Sequence, residues 1–443
     1  MNFNIIRLLR GALLLALLLI TACSGDGGSA APAGWTGTKQ LGVAGAYSNS
    51  TGVAVDASGN VYVAGQTGGG LDGNTLTGKE DFFLTRYDKA GIKLSTKQLG
   101  VAGTYTAALA TAVDTKNGYV YVVGYTTGGL DGNKLAGRSD CFLTKYDTSG
   151  SRLSTKQLGV AVAHTIARDV AVDMNGNVYV VGNTSGGLDG NALTGRTDFF
   201  LTKYSSTGIK QYTRQLGAVE ARAYATSVAV DAWGFVYVVG YTTGGLDGNK
   251  LAGRSDFFLT KYDSAGTKLS TRQLGEAGAQ TLGNGVAVDA NGNVYVAGST
   301  NGGLDGNAHT GIYDFFLTKY NSAGIKQYTK QLGVAGAMTA GSSVAVDASG
   351  NVYVAGSTNG GLDRNAHTGI YDFFLTKYNS AGIKQYTRQL GVAGAQTSGS
   401  SVALDAGGNV YVAGLTRGGL DGNTHTGTDD FFVTKYDSTG KKQ

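Results

Sequence analysis

The chain has 443 residues, a length that ordinarily suggests about three domains, yet its composition favours a single repetitive one. It contains 73 glycines but 1 proline, with 42% apolar and 15% charged residues, and its only glutamates are Glu80, Glu220 and Glu276. These values exclude collagen and charge-driven disorder, favour strands and turns over helices, and leave a net charge of +5 that is too small to indicate nucleic-acid binding.

The first 22 residues have the parts of a bacterial signal peptide. Arg7 and Arg10 give a positive amino-terminal region, and the apolar run from 11 to 20 is too short to span a bilayer as a permanent helix. The run leads into the sequence ITAC, which ends at Cys23 and resembles the bacterial lipobox. The resemblance implies that Cys23 is acylated and becomes the first residue of the mature protein. Simple secretion is the alternative.

The residues around the anchor predict a location. Ser24 stands where an aspartate would indicate inner-membrane retention, so we expect a lipid-anchored protein of the bacterial cell envelope, at the outer membrane. Residues 23–34 then form a lipidated tether of at most ~40 Å, and its lipid anchors the chain without spanning the membrane. The second cysteine, Cys141, replaces a phenylalanine of the other copies, and we expect a small buried hydrophobe there.

Beyond the tether, one segment recurs to the end of the chain. It reads VAVDASGNVYVAG at 53–65, and its copies are spaced by 58 residues, with one spacing of 59. The first copy holds four strand-like runs and no apolar run of helical period. The seven aspartates that mark the copies are Asp56, Asp114, Asp173, Asp231, Asp289, Asp347 and Asp405. The pattern predicts an all-β, seven-bladed β-propeller over residues 35–443, with four antiparallel strands per blade.

The four strands of the first copy are predicted at Gly52–Asp56, Asn60–Thr67, Asp81–Asp88 and Lys93–Leu99. The runs VAVD, GNVYVAG and DFFLTKYD are similar to the bacterial SBBP repeat, over about residues 35–443. This resemblance implies extracytoplasmic β-propellers without a defined activity, so it adds architecture rather than chemistry.

The two ends of the repeat array predict how the ring closes. The sequence TKQLG at 38–42 is that of a fourth strand, yet it precedes the first copy, and the last copy stops before its own fourth strand. We therefore expect Trp35–Gly42 to complete the last blade and to close the ring. The tether then enters at the bottom face, and the long loops that follow strands two and four lie on the opposite, top face.

The loops after the second strands supply the main candidate binding residues. Each reads Gly-Gly-Leu-Asp-Gly-Asn, with Arg364 replacing the third glycine in the sixth copy. Nearby tyrosines (Tyr125, Tyr241, Tyr313, Tyr371) suit sugar rings or protein surfaces, so we expect a protein or glycan to be held multivalently. The candidate ligand-binding residues are Asp72, Asn74, Asp131, Asn133, Asp189, Asn191, Asp247, Asn249, Asp305, Asn307, Asp363, Asn365, Asp421 and Asn423.

Two patterns at these loops could indicate metal sites. Each copy also opens its third strand with an aspartate, of which Asp81 is the first, and a pair such as Asp72 and Asp81 could bind calcium; a plain Asx turn is favoured, because calcium needs six to eight oxygens. His309, His367 and His425 share one repeat position, but they would meet only near the ring axis. We therefore predict no metal and no other cofactor. The other strand-opening aspartates are Asp140, Asp198, Asp256, Asp314, Asp372 and Asp430.

One sector of the top face breaks the repeat symmetry. Its ionisable residues are His164, Arg168, Asp169, Glu220, Arg222 and Glu276. Loop drift is the simpler explanation, and catalysis by a Glu220/Glu276 sector is the alternative. The leading hypothesis is a monomeric, non-enzymatic, surface-displayed binding or scaffold lipoprotein. The alternatives are an extracytoplasmic carbohydrate-active enzyme and a purely structural envelope protein.

Overall fold

A computed structural model of the chain describes residues 34–443, so the predicted signal peptide, Cys23 and nearly all of the tether lie outside the described residues. The described part forms seven four-stranded antiparallel sheets, which confirms the seven-bladed propeller. The first strand of each blade is longer than predicted: in blade 1 it begins at Ser48 rather than Gly52. No helix within residues 34–443 is long and apolar enough to cross a membrane.

The blades follow one another along the chain. Blade 1 consists of β2 (Ser48–Val55), β3 (Val61–Thr67), β4 (Asp81–Tyr87) and β5 (Lys93–Leu99). Blade 2 consists of β6 (Thr106–Asp114), β7 (Tyr119–Thr126), β8 (Asp140–Asp147) and β9 (Arg152–Leu158). Blade 3 consists of β10 (Thr165–Val172), β11 (Val178–Thr184), β12 (Asp198–Tyr204) and β13 (Lys210–Leu216). Blade 4 consists of β14 (Ala223–Val230), β15 (Val236–Thr242), β16 (Asp256–Tyr262) and β17 (Lys268–Leu274).

The last three blades repeat the pattern. Blade 5 consists of β18 (Thr281–Val288), β19 (Val294–Thr300), β20 (Asp314–Tyr320) and β21 (Lys326–Leu332). Blade 6 consists of β22 (Thr339–Val346), β23 (Val352–Thr358), β24 (Asp372–Tyr378) and β25 (Lys384–Leu390). Blade 7 consists of β26 (Thr397–Leu404), β27 (Val410–Thr416), β28 (Asp430–Tyr436) and the amino-terminal strand β1 (Lys39–Leu41). Short turns with a left-handed backbone lie at Leu71–Gly73, Leu130–Gly132, Leu188–Gly190, Leu304–Gly306, Leu362–Arg364 and Leu420–Gly422.

Both ends of the described chain build the outer strand of blade 7. Strand β1 pairs with β28 as predicted, and Lys442 forms a further antiparallel bridge with Tyr436. The two pieces are joined where the N–H of Gly37 donates to the carbonyl of Gln443, at 2.8 Å. Lys442 thus takes the place that Lys93 has in blade 1. The outer strand of the last blade is therefore complete, and the ring is closed without an unpaired strand at this junction.

The hydrophobic core lies between blades rather than within them. Each of the seven clusters of buried side chains combines residues of two neighbouring blades. Phenylalanines of the third strands pack in pairs across the junctions, with ring centres about 5 Å apart. The pairs are Phe82–Phe142, Phe83–Phe431, Phe199–Phe258, Phe257–Phe316, Phe315–Phe374 and Phe373–Phe432. Each blade is stable only beside its neighbours.

Candidate functional site

The turns that carry the predicted ligand-binding aspartates follow the outer edge of each blade. Asp72 and Gly73 have positive φ values of 55° and 78°, and the N–H of Asn74 donates to the Leu71 carbonyl. This is a type I′ turn, for which Asp-Gly is a favoured sequence. The Leu71 side chain is fully buried between blades 1 and 7, and this burial holds the turn against the body of the propeller.

The seven aspartates each form an ion pair with the first basic residue of the outer strand of their own blade. The pairs are Asp72–Lys93, Asp131–Arg152, Asp189–Lys210, Asp247–Lys268, Asp305–Lys326, Asp363–Lys384 and Asp421–Lys442. Each basic residue lies at the lower end of its strand. The expectation that these loops project from the top face is therefore wrong: they leave the top face and descend along the outer strand.

The asparagines of the same turns are also occupied. The Nδ2 of Asn74 donates to the carbonyls of Leu71 (2.8 Å) and Thr96 (3.2 Å). The equivalent contacts to the leucine carbonyl recur for Asn133, Asn191, Asn249, Asn307, Asn365 and Asn423. Since the outer strand would otherwise expose unpaired carbonyls, these amides cover a sheet edge.

The strand-opening aspartates occupy a different place. Asp81 is fully buried at the top of β4, where its carboxylate accepts the N–H groups of Thr77 (2.8 Å) and Gly78 (2.7 Å) and the amide of Gln98 (3.0 Å). Asp72 lies lower, beside Lys93. The two aspartates thus serve separate structural contacts, which agrees with the interpretation as turn residues.

The three repeat-position histidines lie one per blade on the outer part of the top loops. His309 and His367 are exposed and His425 is half-buried. In the part of the chain from 34 to 443, no group of three His, Cys, Asp or Glu side chains is placed to hold a metal ion.

A closed ring of residues surrounds the centre of the top face. The residue before each third strand forms a parallel bridge with the residue before the first strand of the next blade. These fourteen residues, called the top ring below, pair as Glu80–Tyr105, Ser139–His164, Thr197–Arg222, Ser255–Gln280, Tyr313–Met338, Tyr371–Gln396 and Asp429–Tyr47. The backbone of the top face is therefore the same in every blade, while its side chains are not.

The seven copies differ most where they reach this ring. The second strand reads Val-Tyr-Val-x-Gly in all seven, whereas each of the two top-ring positions carries five different amino acids. The first strands also vary at the second residue of β14 and its equivalents, where Tyr224 lies, and at a β-bulge whose residue has no partner in the second strand. The bulge residues are Thr51, Leu109, Arg168, Thr226, Asn284, Ser342 and Ser400. They line a narrow channel along the ring axis.

Arg168 is the charged member of the bulge positions, and an open cleft of about 270 Å³ lies beside it. The cleft is lined by Leu109, Arg168, Thr226 and the rings of Tyr224 and Tyr241, whose centres are 5.1 Å apart. The Nε of Arg168 donates to the Asn183 side-chain oxygen at 3.3 Å. A guanidinium beside aromatic faces can bind an anionic or polar ring-shaped ligand.

Electrostatics draw Arg222 and Tyr125 into the same site. Burial raises the pKa of Tyr241, and the charges of Arg168 and Arg222 oppose that shift. Burial also raises the pKa of Tyr125, with a further rise from Glu80, whereas Arg168 lowers it. Both tyrosine hydroxyls therefore lie within range of the Arg168 charge. Arg168, Arg222, Tyr125, Tyr224 and Tyr241 form what we call the mouth site.

Asp169 follows Arg168 but faces the next blade. Its carboxylate accepts the hydroxyl of Ser227 (2.7 Å) and the N–H groups of Val228 (2.9 Å) and Val170 (2.8 Å). Burial raises the pKa of Asp169 to about 6, although these three donors oppose the shift. In the next junction Ser227 accepts the N–H of Val286 in the same way. Asp169 is thus a contact between blades 3 and 4 rather than a free acid.

The remaining residues of the asymmetric sector are dispersed. His164 is exposed, with Nδ1 3.0 Å from the Ser139 hydroxyl. Glu220 is at an exposed loop tip with a φ of 57°, and the half-buried Glu276 lies in the corresponding loop of the next blade, beside Gly302. No hydrogen bond or ion pair connects the two glutamates in the described chain. Retaining and inverting glycosidases both need two carboxylates facing one bond, and this arrangement does not display such a pair.

One polar cluster of the top ring escaped the sequence analysis. Glu80 is 6% exposed and accepts a hydrogen bond from the Tyr47 hydroxyl, while its Oε1 is buried without a partner in the described structure. Burial raises the pKa of Glu80, which the Tyr47 hydrogen bond opposes. Aligning the copies position by position would have marked Glu80, since the equivalent residues include serine, threonine and tyrosine.

Comparison with known proteins agrees with the architecture. The family model described as the SBBP β-propeller repeat matches six segments, at 37–72, 155–189, 211–247, 271–305, 327–363 and 385–421. This chain belongs to the SBBP β-propellers. Each matched segment of this SBBP propeller begins in the outer strand of one blade and ends at the type I′ turn of the next blade. The repeat unit of the family is therefore offset from the structural blade. This offset places an outer strand before the first blade, where it completes the last one.

Relatives are distant. A regulatory protein, FlaEY, of Caulobacter vibrioides is 25% identical over 398 residues, covering 83% of this chain and 37% of that protein. The SBBP propeller thus spans just over a third of the relative's length. Among solved structures, a chain of the mitotic checkpoint complex has 13% identity and a TM-score of 0.47 over 90% of this chain and 95% of its own. U3-55K has 9% identity and a TM-score of 0.48 over 90% and 98%.

Proposed function

We propose that this SBBP propeller is a non-enzymatic binding protein that holds its ligand at the mouth site. The observation that carries the proposal is the distribution of differences among the seven copies. The outer turns and most strand positions are nearly identical, whereas the top ring, the bulge positions and the strand positions of Tyr224 and Tyr241 differ from blade to blade. Bulge residues and these two tyrosines line the open cleft of about 270 Å³ beside Arg168. Aromatic faces beside a guanidinium suit a glycan or a protein surface.

Substitutions taken from the chain's own repeats test this proposal. Serine occupies the Arg168 position in blade 6 (Ser342) and the Tyr241 position in blade 6 (Ser357), so Arg168→Ser and Tyr241→Ser should fold normally. When the protein is incubated with a panel of polysaccharides and envelope proteins, we expect a bound ligand to be lost from both variants. Ser342→Ala and Ser357→Ala, at the same positions on the far side of the ring, should keep it.

Two other outcomes would replace the proposal. Release of a shortened product, lost in Glu220→Gln or Glu276→Gln, would make the protein a carbohydrate-active enzyme. Binding that persists in the mouth-site variants but disappears when all seven turn aspartates become alanine, with the fold intact, would restore the multivalent mode. If no component of the panel binds, the structural-protein hypothesis is favoured.

The site of display is a separate part of the proposal. The signal-like sequence and the lipobox-like ITAC support acylation of Cys23 and a location on the bacterial cell envelope, at the outer membrane. Labelled palmitate should enter the wild type and Cys141→Ala, and it should be lost in Cys23→Ala. The tether then leads into the propeller at Trp35. Trp35 packs beside Tyr87, which is at the lower end of β4, the third strand of blade 1. This geometry supports a top face directed away from the membrane.

A further inference from the structure

A second asymmetry divides the top face into two halves. The residue just before the top-ring position of each third strand is basic and exposed in blades 1–4, where it is Lys79, Arg138, Arg196 or Arg254. In blades 5–7 the same position carries Ile312, Ile370 and Thr428. We call the four basic residues the basic arc. They cover one continuous half of the rim, and the other half is uncharged at this position.

The backbone of the four arc residues is held by hydrogen bonds, whereas their cationic groups have no hydrogen-bond or ion-pair partner in the described chain. The N–H of Arg138 donates to the Ala163 carbonyl at 2.7 Å, and Lys79, Arg196 and Arg254 make the same bond in their blades. Between residues 34 and 443, no hydrogen bond or ion pair engages any of the four cationic groups, although the Lys79 ammonium lies 5.5 Å from the Tyr105 ring centre. By contrast, the first basic residue of each outer strand is paired with an aspartate.

Neighbouring charges add to the arc. Arg168 and Arg222 lie inside it at the mouth site, and the exposed Lys134 and Lys250 lie outside it on the loops of blades 2 and 4. Among the varied top-face positions of these blades, the exposed acid is Glu220, at a loop tip. This excess of positive charge, with no internal partner for the four arc residues in the described part of the chain, favours an anionic ligand.

Spacing selects the kind of anion. From one arc residue to the next, the rim crosses from a third strand to the first strand of the next blade, then to its second and its third strand. These three steps of one strand spacing each amount to about 14 Å. Nucleic acids carry a phosphate every ~3.4 Å per strand, so most of their charges would remain unpaired on such an arc. A chain with sparse carboxylates fits better. Tyr125, Tyr224 and Tyr241 lie on the inner side of the arc, where their ring faces can pack against sugar rings.

We infer that the basic arc and the mouth site together bind a linear acidic polysaccharide. Its carboxylates pair with the arc, and one or two of its sugar rings enter the cleft beside Arg168. This inference rests on the proposed function and names the ligand class. Exposed charge pairs are individually weak, so affinity must come from several pairs in series. Chains shorter than the ~42 Å path along the arc from its first to its last residue should therefore bind more weakly.

The test compares two variants with the same loss of charge. Threonine occupies the arc position in blade 7, so Lys79→Thr, Arg138→Thr, Arg196→Thr and Arg254→Thr are combined in one full-length chain. The control chain carries threonine at the exposed Lys89, Lys97, Lys116 and Lys156, away from the top face. The probe is partially methyl-esterified polygalacturonate, in which only some sugars keep a carboxylate, as oligomers of graded length (called polygalacturonate below). Its binding, and that of the fully methyl-esterified forms, is measured at low and high salt.

We expect length-dependent binding of polygalacturonate that weakens with salt and is lost on full esterification. The arc variant should bind at least tenfold more weakly and the control variant as the wild type, while Ile312→Arg with Ile370→Arg should bind more tightly. The inference would be overturned if the arc variant bound polygalacturonate as tightly as the wild type does. It would also be overturned if polyglutamate bound as tightly as polygalacturonate and Tyr241→Ser had no effect on binding. Absence of binding to polygalacturonate would overturn it too. If a neutral ligand of the panel then still depends on Arg168 and Tyr241, the proposed function stands without the arc.

Discussion

Cys141 shows how one residue marks the weakest junction of the ring. It is 4% exposed, its Sγ donates to the Leu158 carbonyl at 3.3 Å, and burial raises the pKa of its thiol to about 12. This confirms a small buried hydrophobe rather than a reactive thiol. The other six junctions have a stacked phenylalanine pair. Here Phe200 faces the cysteine, beside a void too narrow for water.

We predict that Cys141→Phe stabilises the protein by about 1 kcal/mol, because a ring at this position fills the void and stacks on Phe200. Urea unfolding at constant pH measures the gain. The matched control is Phe257→Cys, which should create a similar void at the junction of blades 4 and 5 and cost about 3 kcal/mol. A lower midpoint for Cys141→Phe would mean that the junction cannot accept the ring.

Arg364 is strained by its backbone. It has a φ of 65° in the type I′ turn of blade 6, where the other six turns have glycine. We predict that Arg364→Gly stabilises the protein by about 1 kcal/mol and that Gly306→Arg, in the nearly identical blade 5, destabilises it equally. Arg364→Ala serves as the control, since alanine has the same strain. Recovery of stability by alanine would assign the effect to the arginine side chain instead.

Asp169 should give the stability a pH dependence. Burial raises the pKa of Asp169 to about 6, above the ordinary value of 3.8. Between about pH 4 and 6 the carboxyl is therefore protonated in the folded state and ionised in the unfolded state. Its contribution to stability therefore falls as pH rises through this window. We predict that Asp169→Asn, which can still accept the Ser227 and Val228 donors, raises the unfolding midpoint at pH 7.5 and changes it little at pH 4. Equal changes at both pH values would refute this origin.

At the scale of elements, the strand order and the closure followed from the sequence, but the course of the long loops did not. Four strands per 58 residues and a displaced TKQLG segment sufficed to predict the ring. The loops were assigned to the top face by connectivity alone. Two overlooked signals place them correctly: the apolar Leu71 in a polar loop, which must be buried, and a basic residue that opens every outer strand opposite the seven aspartates.

The mouth site was found only in part for a related reason. Arg168 and Arg222 were recognised because they are charged exceptions in otherwise uniform copies. A comparison of the loops does not mark Tyr224 or Glu80, because Tyr224 lies within β14 and Glu80 comes directly before β4. Which strand-end residues meet across a junction depends on blade-to-blade bridges, and these cannot be inferred from one repeat in isolation.

The closing strand makes a prediction of its own. Trp35 is 4% exposed, and its ring centre lies 5.5 Å from Tyr411 of blade 7 and 6.0 Å from Tyr87 of blade 1. At other junctions Tyr212, Tyr328 and Tyr386 cover the neighbouring blade's turn glycine as Trp35 covers Gly91. We predict that Trp35→Ala costs about 4 kcal/mol and Trp35→Tyr much less, and that deletion of Trp35–Gly42 also promotes aggregation through the exposed edge of β28. An unchanged melting curve after the deletion would mean that this segment does not close the ring.

At the scale of the whole molecule, the position of the cores decides how the ring unfolds. Every hydrophobic cluster joins two blades, so the loss of one blade removes half of the core of both neighbours, and closure by β1 leaves no terminal blade from which unfolding can begin. We therefore predict a single cooperative transition for residues 34–443.

The two tryptophans report on this transition from different sides of the ring: Trp35 lies between blades 7 and 1, and Trp233, 61% exposed, lies beside Gly292 of blade 5. Trp233→Phe leaves Trp35 as the sole tryptophan, and Trp35→Tyr leaves Trp233. In each variant, the urea transition followed by its remaining tryptophan should coincide with that followed by circular dichroism. A tryptophan transition that precedes loss of the sheet signal would instead show that its junction opens first and that the blades unfold in sequence around the ring.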